Sequence, residues 1–213
     1  MSAYKYRLSF RWVLIVFLLQ GLYSDQDFES RNTFAFQLRL PNSFRLNCEQ
    51  SLRLIGNQFS FKQTFTEATL SYRLTKRMKL FLPVRYAIYE DKIKTRFSLG
   101  GSIKNKVNFL SLRYRTLYQR TYQESKDTKI LSRNKFYLYY VAAKKIEPFI
   151  AYEVFYPIEN SVQDIDEKRY SMGIEIDLTT KRAFKIYYQL KIEGLDKLRK
   201  DKTDVLGLSY SMN

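Results

Sequence analysis

Residues 184–193 read Phe-Lys-Ile-Tyr-Tyr-Gln-Leu-Lys-Ile-Glu, and their period decides the fold. Phe184, Ile186, Tyr188, Leu190 and Ile192 are apolar, whereas Lys185, Tyr187, Gln189, Lys191 and Glu193 between them are almost wholly polar. A period of two belongs to a β-strand, because successive side chains point to opposite faces. The preceding segment repeats the pattern: Tyr170, Met172, Ile174, Ile176 and Leu178 alternate with Arg169, Ser171, Gly173, Glu175 and Asp177. Near the start, Phe44, Leu46, Cys48, Leu52 and Leu54 alternate with Arg45, Asn47, Glu49, Ser51 and Arg53.

Working outward, the alternation predicts strands near 33–40, 43–54, 61–74, 78–89, 94–104, 107–120, 131–143, 146–157, 168–178, 183–193 and 203–213. Short basic turns are expected at Pro41-Asn42-Ser43, Thr75-Lys76-Arg77, Lys104-Asn105-Lys106, Lys144-Lys145 and Thr179-Thr180-Lys181. Longer connections are expected around Gly56-Asn57 and Glu90-Asp91, and over 123–129, 159–167 and 194–203. Pro83 falls inside a strand, where it cannot donate a ladder hydrogen bond, so a bulge or local distortion is expected there. Eleven segments is an awkward count, because single-chain bacterial barrels usually close with an even number. Ten strands plus a partial first segment, or twelve with one unrecognised, are the two ways to restore it.

Before these strands lies a different kind of sequence. Lys5, Arg7 and Arg11 precede an apolar run from Trp12 to Leu19, and Leu22-Tyr23-Ser24 offers a small residue before Asp25. That order is that of a secretory signal peptide, and the run is far shorter than the ~20 residues a spanning helix needs. The expected division is a signal over 1–24 and a barrel domain over 25–213. Losing the three basic residues lowers the formal charge from +16 to +13.

Composition limits the chemistry. The chain of 213 residues has no histidine and a single cysteine, Cys48. No Ser-His-Asp triad, Cys-His pair, disulfide or Cys-rich zinc site can be built from it, and no cofactor is expected. An enzyme would have to work with carboxylates alone, such as Glu49 or Glu153. A basic, aromatic-rich chain also fits nucleic-acid binding, but the Lys and Arg residues are spread over every strand instead of clustering on one face, and the signal directs the chain away from nucleic acid.

Aromatic residues make up 16% of the chain, with 18 Tyr and 16 Phe. Tyr72, Tyr114, Tyr118, Tyr156, Tyr170 and Tyr210 sit on the apolar face, as expected of interfacial girdles in a membrane. The C-terminal stretch Gly207-Leu208-Ser209-Tyr210-Ser211-Met212 is similar to the terminal signal that barrel-assembly machinery recognises. The fold expected is therefore an all-β antiparallel transmembrane β-barrel of about 10–12 strands, with short periplasmic turns and longer external loops in the outer membrane. A secreted soluble β-barrel that binds a ligand is the alternative with the same period.

Several short motifs carry a resemblance. They are 134–138, Ile146-Glu147-Pro148-Phe149, Glu153-Val154-Phe155 and Lys168-Arg169-Tyr170-Ser171-Met172-Gly173, together with Glu49…Arg53 and Arg113-Tyr114-Arg115. They resemble a family of Gram-negative outer-membrane barrels known mostly as a domain of unknown function. The resemblance implies an outer-membrane barrel and no established activity.

If the polar face points inward, the interior is rich in charge. Arg45, Glu49, Arg53, Arg85, Arg113, Arg115, Arg133, Glu153, Arg169 and Glu175 form the expected network, either a packed set of ion pairs or the lining of a narrow passage for small anionic solutes. Lys197, Arg199, Lys200 and Lys202 lie in an expected outer loop, where they would meet phosphates of lipopolysaccharide. The mature protein from a membrane fraction is expected to begin at Asp25; N-terminal sequencing that returns Met1 would remove the signal assignment.

Overall fold

The computed structural model describes residues 27–56, 58–124, 126–141, 145–158, 165–195 and 200–213, and the expected signal segment lies outside them. Eleven strands follow one another: β1 (Asp27–Arg39), β2 (Phe44–Ile55), β3 (Ser60–Arg73), β4 (Met78–Tyr89), β5 (Ile93–Val107), β6 (Leu110–Gln123), β7 (Lys126–Tyr140), β8 (Ile146–Pro157), β9 (Glu167–Thr179), β10 (Arg182–Glu193) and β11 (Asp201–Met212). Each pairs antiparallel with its neighbours in sequence, and β1 closes the barrel against β11. That last pairing is parallel, with Asp27 opposite Thr203 and Phe36 opposite Met212. An odd number of alternating strands requires this, since the first and last run the same way. The awkward count of eleven is thus real: among the described residues eleven strands close the ring. Residues 27–32 belong to β1, which starts six residues earlier than the alternation alone suggested.

Sequence-adjacent pairing places the connections alternately at two ends. One end carries 40–43, 74–77, 108–109, 141–145 and 180–181; the other carries 56–59, 90–92, 124–125, 158–166 and 194–200. They are called here the short-turn end and the long-loop end. The asymmetry rests mainly on 158–166 and 194–200. The expected loop over 123–129 is instead a hairpin extension, with Gln123 opposite Lys126 and Thr121 opposite Lys129. Likewise Lys104-Asn105-Lys106 is strand, and the turn sits at Asn108-Phe109. Asn108 has φ +52°, a left-handed conformation that Asn tolerates, whereas basic residues give no such signal. The expected turn at 41–43 does form, with Asn42 and Ser43 both at positive φ inside a turn that the Phe44 N–H closes on the Pro41 carbonyl. At Pro83 there is a gap and no bulge: β4 keeps its register with β5 on both sides, but residues 82 and 83 make no ladder pair with β5, while both still pair with β3. The missing N–H of proline is the reason.

The outward face is apolar and open. Phe34, Leu82, Leu99, Leu112, Phe136, Ile150 and Met172 are all exposed large hydrophobics around the circumference. A water-soluble barrel would hide that face, so the soluble alternative fails on geometry. Outward aromatics pair across strands, including Phe44 with Tyr72 at 4.8 Å and Tyr114 with Phe136 at 4.7 Å between ring centroids. Tyr118 sits in the body of β6, away from any rim. Polar groups on this face satisfy one another, as they must where no water is available. Gln50 donates to Thr64 at 2.8 Å and accepts from Thr66 at 2.5 Å, and the Tyr114 hydroxyl donates to Asn134 at 2.7 Å.

Register also gives the stagger. Following paired residues from Lys106 through Ser111, Tyr139, Phe149, Gly173, Tyr187, Gly207, Arg31, Arg53, Gln63 and Tyr89 returns to β5 at Lys92, fourteen residues from the start. Such a stagger over eleven strands tilts them by about 40° and sets a barrel wider than eight strands allow. Gly173 and Gly207 flank Tyr187 on this path. A Cβ on Gly173 would lie 2.3 Å from the Ile186 carbonyl oxygen, and one on Gly207 would lie 2.1 Å from the Tyr187 ring. Gly173→Ala is expected to lower barrel stability by about 2 kcal/mol or more, because backbone must move. Gly207→Ala is expected to cost less, since only a side chain need turn. Urea titration followed by heat-modifiable gel migration checks the order.

Candidate functional site in the lumen

Inward positions of the strands line a cavity of about 710 Å³ that occupies the barrel toward the long-loop end. Fourteen Lys and Arg face eight Asp and Glu along it, an excess that leaves the lumen positive. Once the stagger is allowed for, Arg31, Arg53, Arg85, Arg96, Arg133 and Arg169 fall within about 4 Å of one height along the axis. They form a belt drawn from six different strands.

Two parts of this belt match each other across the lumen. On β3, Phe65 is stacked under Arg85 at 3.7 Å and Arg53 at 5.2 Å from the ring centroid. On β8, Phe155 is stacked under Arg169 at 4.5 Å and Arg133 at 5.3 Å. A glutamate follows each ring on the short-turn side: Glu67, which Arg85 contacts at 2.7 Å, and Glu153, which Arg133 holds. The two strands are five apart in an eleven-strand ring, hence on opposite walls. A cation over an aromatic face keeps its charge while losing its freedom, so each ring orients two guanidinium groups toward the lumen.

Glu153 is only 1% exposed, with Lys135 at 3.5 Å and Arg169 at 3.8 Å besides Arg133. Glu29 is equally buried, held by Arg31, by Lys62 at 2.7 Å and by Arg53 at 3.9 Å. Arg31 then donates to Gln189 at 2.8 Å, and Gln189 donates to Ser171 at 2.8 Å. This chain of contacts crosses from β1 to β9 over the small residues of β11, where Val205 is fully buried. It braces the parallel seam. In contrast, Arg96 and Arg115 have no carboxylate within 4 Å among the described residues; Arg96 donates to Thr121 at 3.2 Å, and Arg115 lies over Phe81 at 4.6 Å.

Tyr139, Phe149 and Ala151 form a buried cluster against Tyr137, Val141 and Tyr187. Arg113 sits over Tyr139 at 5.1 Å and Lys185 over Phe149 at 4.1 Å. An aromatic–cation cluster on the β6–β8 and β10 side of the wall therefore lies toward the short-turn mouth.

Of the ten residues expected in the network, Glu49, Arg53, Arg85, Arg115, Arg133, Glu153 and Arg169 line the cavity. Arg45, Arg113 and Glu175 face inward too, but nearer the short-turn end. Glu29, Arg31, Lys62, Lys135 and Glu167 were missed by sequence reasoning. For Glu29 and Arg31 the signal was there: their parity continues that of Thr33 and Ala35. Phe65 and Phe155 were missed because an aromatic on the polar parity looks like noise until its neighbours are known. Lys197 and Arg199 lie outside the described residues; Lys200 and Lys202 are exposed, Lys202 on the outward face of β11. Among the described residues no three potential ligands gather to hold a metal ion.

A closed meander with an apolar exterior and a charged lumen is a transmembrane β-barrel. The chain belongs to the DUF2490 family, described as a protein of unknown function, which matches residues 31–197. Among solved structures, the fold is similar to the NanC porin, at TM-score 0.52 and 8% identity over 76% of this chain and 86% of that one. It is also similar to a bacterial polysaccharide outer membrane secretin, at 0.54 and 10% over 80% and 64%. The KdgM porin in complex with disordered oligogalacturonate gives 0.50 and 14% over 83% and 94%. No curated protein matches the sequence.

Glu153→Gln is expected to destabilise the barrel by about 3 kcal/mol, since it leaves Arg133 and Lys135 without a carboxylate, while Arg169 keeps Glu167. Glu175→Gln, with one partner at 3.7 Å, is expected to cost under about 1 kcal/mol. Urea midpoints of the two variants test the contrast.

Proposed function

We propose that this barrel sits in the outer membrane with its short turns in the periplasm and acts as a passive, anion-preferring channel. The observation that carries the reading is the belt of six arginines around a cavity in which cations outnumber carboxylates. Rings of Arg favour anions over cations by Coulomb attraction, and the low-dielectric wall strengthens the field inside. Arg96 and Arg115 supply the selectivity, because their charge is not cancelled by a neighbouring carboxylate. The paired arginines mainly hold the wall in shape. Glu153 works as a charge partner and not as a general acid, because three cations surround it. At the long-loop end, Lys200 and Lys202 meet lipopolysaccharide phosphates, and the C-terminal strand is presented to the assembly machinery during insertion.

The test is single-channel recording of the refolded mature chain in a planar bilayer under a salt gradient. Discrete steps with a reversal potential favouring chloride are expected, and Arg96→Gln/Arg115→Gln is expected to lower the anion preference about twofold or more. These two sites are chosen because their loss orphans no carboxylate. Cation preference, or silence from protein shown to be folded, overturns the reading.

A further inference from the structure

At the short-turn mouth, cations face cations. Arg39 on β1 is directly opposite Arg45 on β2, Arg73 on β3 is opposite Lys79 on β4, and Lys104 on β5 is opposite Arg113 on β6. All six share the inward parity of their strands, and with the stagger allowed for they fall within about 6 Å of one height. None has a carboxylate within 4 Å among the described residues. Like charges directly opposite destabilise a sheet, so three such pairs on consecutive strands oppose folding unless something else offsets them.

The acids of the mouth do not offset them. Glu147, Glu175 and Asp177 stand on β8 and β9, the other wall, and Glu147 is itself opposite Glu175. The mouth is therefore divided into a cationic crescent and an acidic sector. Its cations point into the lumen and away from the lipid, so the ligand that compensates them arrives through water. The crescent spreads over six strands about 4.8 Å apart, an arc along which one monovalent ion would leave most of the charge unmatched.

We propose that the crescent of Arg39, Arg45, Arg73, Lys79, Lys104 and Arg113 is a second anion-binding site, for solutes carrying two or more negative charges. It lies ~17 Å along the axis from the arginine belt, and its Arg113 also stacks on the aromatic cluster at Tyr139. Its place in transport rests on the channel reading above: the belt receives the anion toward the long-loop end and the crescent receives it at the short-turn mouth. Binding at the crescent does not itself require conduction.

The experiment reads local potential without current. In the Cys48→Ser background, Ser71→Cys puts a thiol on the inward face of β3, directly opposite Arg45. Its rate of modification is measured with an anionic sulfonatoethyl and a cationic trimethylammonium-ethyl methanethiosulfonate, with and without tripolyphosphate. The anionic reagent is expected to react about tenfold faster, and tripolyphosphate, but not chloride at equal ionic strength, is expected to slow it. Arg39→Gln/Arg73→Gln/Lys104→Gln removes one cation from each facing pair, and should bring the two rates together and abolish protection while the barrel stays folded. Arg45→Gln/Lys79→Gln, taking two of the three opposite partners, should do the same. Equal rates in the parent, or protection that survives both variants, overturns the site. A silent bilayer alongside intact protection overturns the channel and leaves the site standing.

Discussion

Closure of an odd-stranded meander is the constraint on which the rest of this barrel depends. Ten hairpin connections run the chain alternately up and down, and the eleventh strand arrives parallel to the first. Parallel ladders are slightly weaker per residue than antiparallel ones, and no hairpin joins these two strands. What braces the seam lies inside: Glu29, buried among Arg31, Arg53 and Lys62, with Arg31 reaching over β11 to Gln189. That reach is possible because β11 presents Val205 and Gly207 where other strands present charge. The seam therefore explains why one wall of the lumen is small and uncharged while the others bristle with arginine.

The remaining interior follows from keeping charge in a confined space. Carboxylates are few, and the most buried are each surrounded by two or three cations. Phenylalanines at inward positions stack guanidinium groups and hold them in fixed directions, which also limits collapse of long side chains into the lumen. Repetition of the ring-and-glutamate arrangement on β3 and β8 gives opposite walls the same chemistry. Cations left without carboxylates are then concentrated in two places, β5–β6 beside the cavity and the short-turn mouth. Function is assigned to those places because the charges there serve no neighbour.

Much of this was legible in the sequence. Alternation alone located all eleven strands, and parity alone placed Arg53, Arg85, Arg133, Glu153 and Arg169 on the inner face. Where it erred, the cause was local: a basic tripeptide, 104–106, looked like a turn, and a polar stretch, 123–129, looked like a loop. In both cases the strand period continued underneath, and the deciding residue was Asn108 with its left-handed backbone or the paired register of Gln123 with Lys126.

Sequence by itself determined the period, the two faces and hence which side chains meet lipid and which meet the lumen, because a strand's geometry makes these local properties. It could not determine which inward residues share a height, since that depends on the stagger accumulated around the whole ring. Only the tertiary structure therefore revealed that six arginines from six strands form one belt, that Phe65 and Phe155 oppose each other, and that Arg39 and Arg45 stand face to face. It also settled the strand count, because whether β1 is an edge or a seam is decided by the strand that finally reaches it.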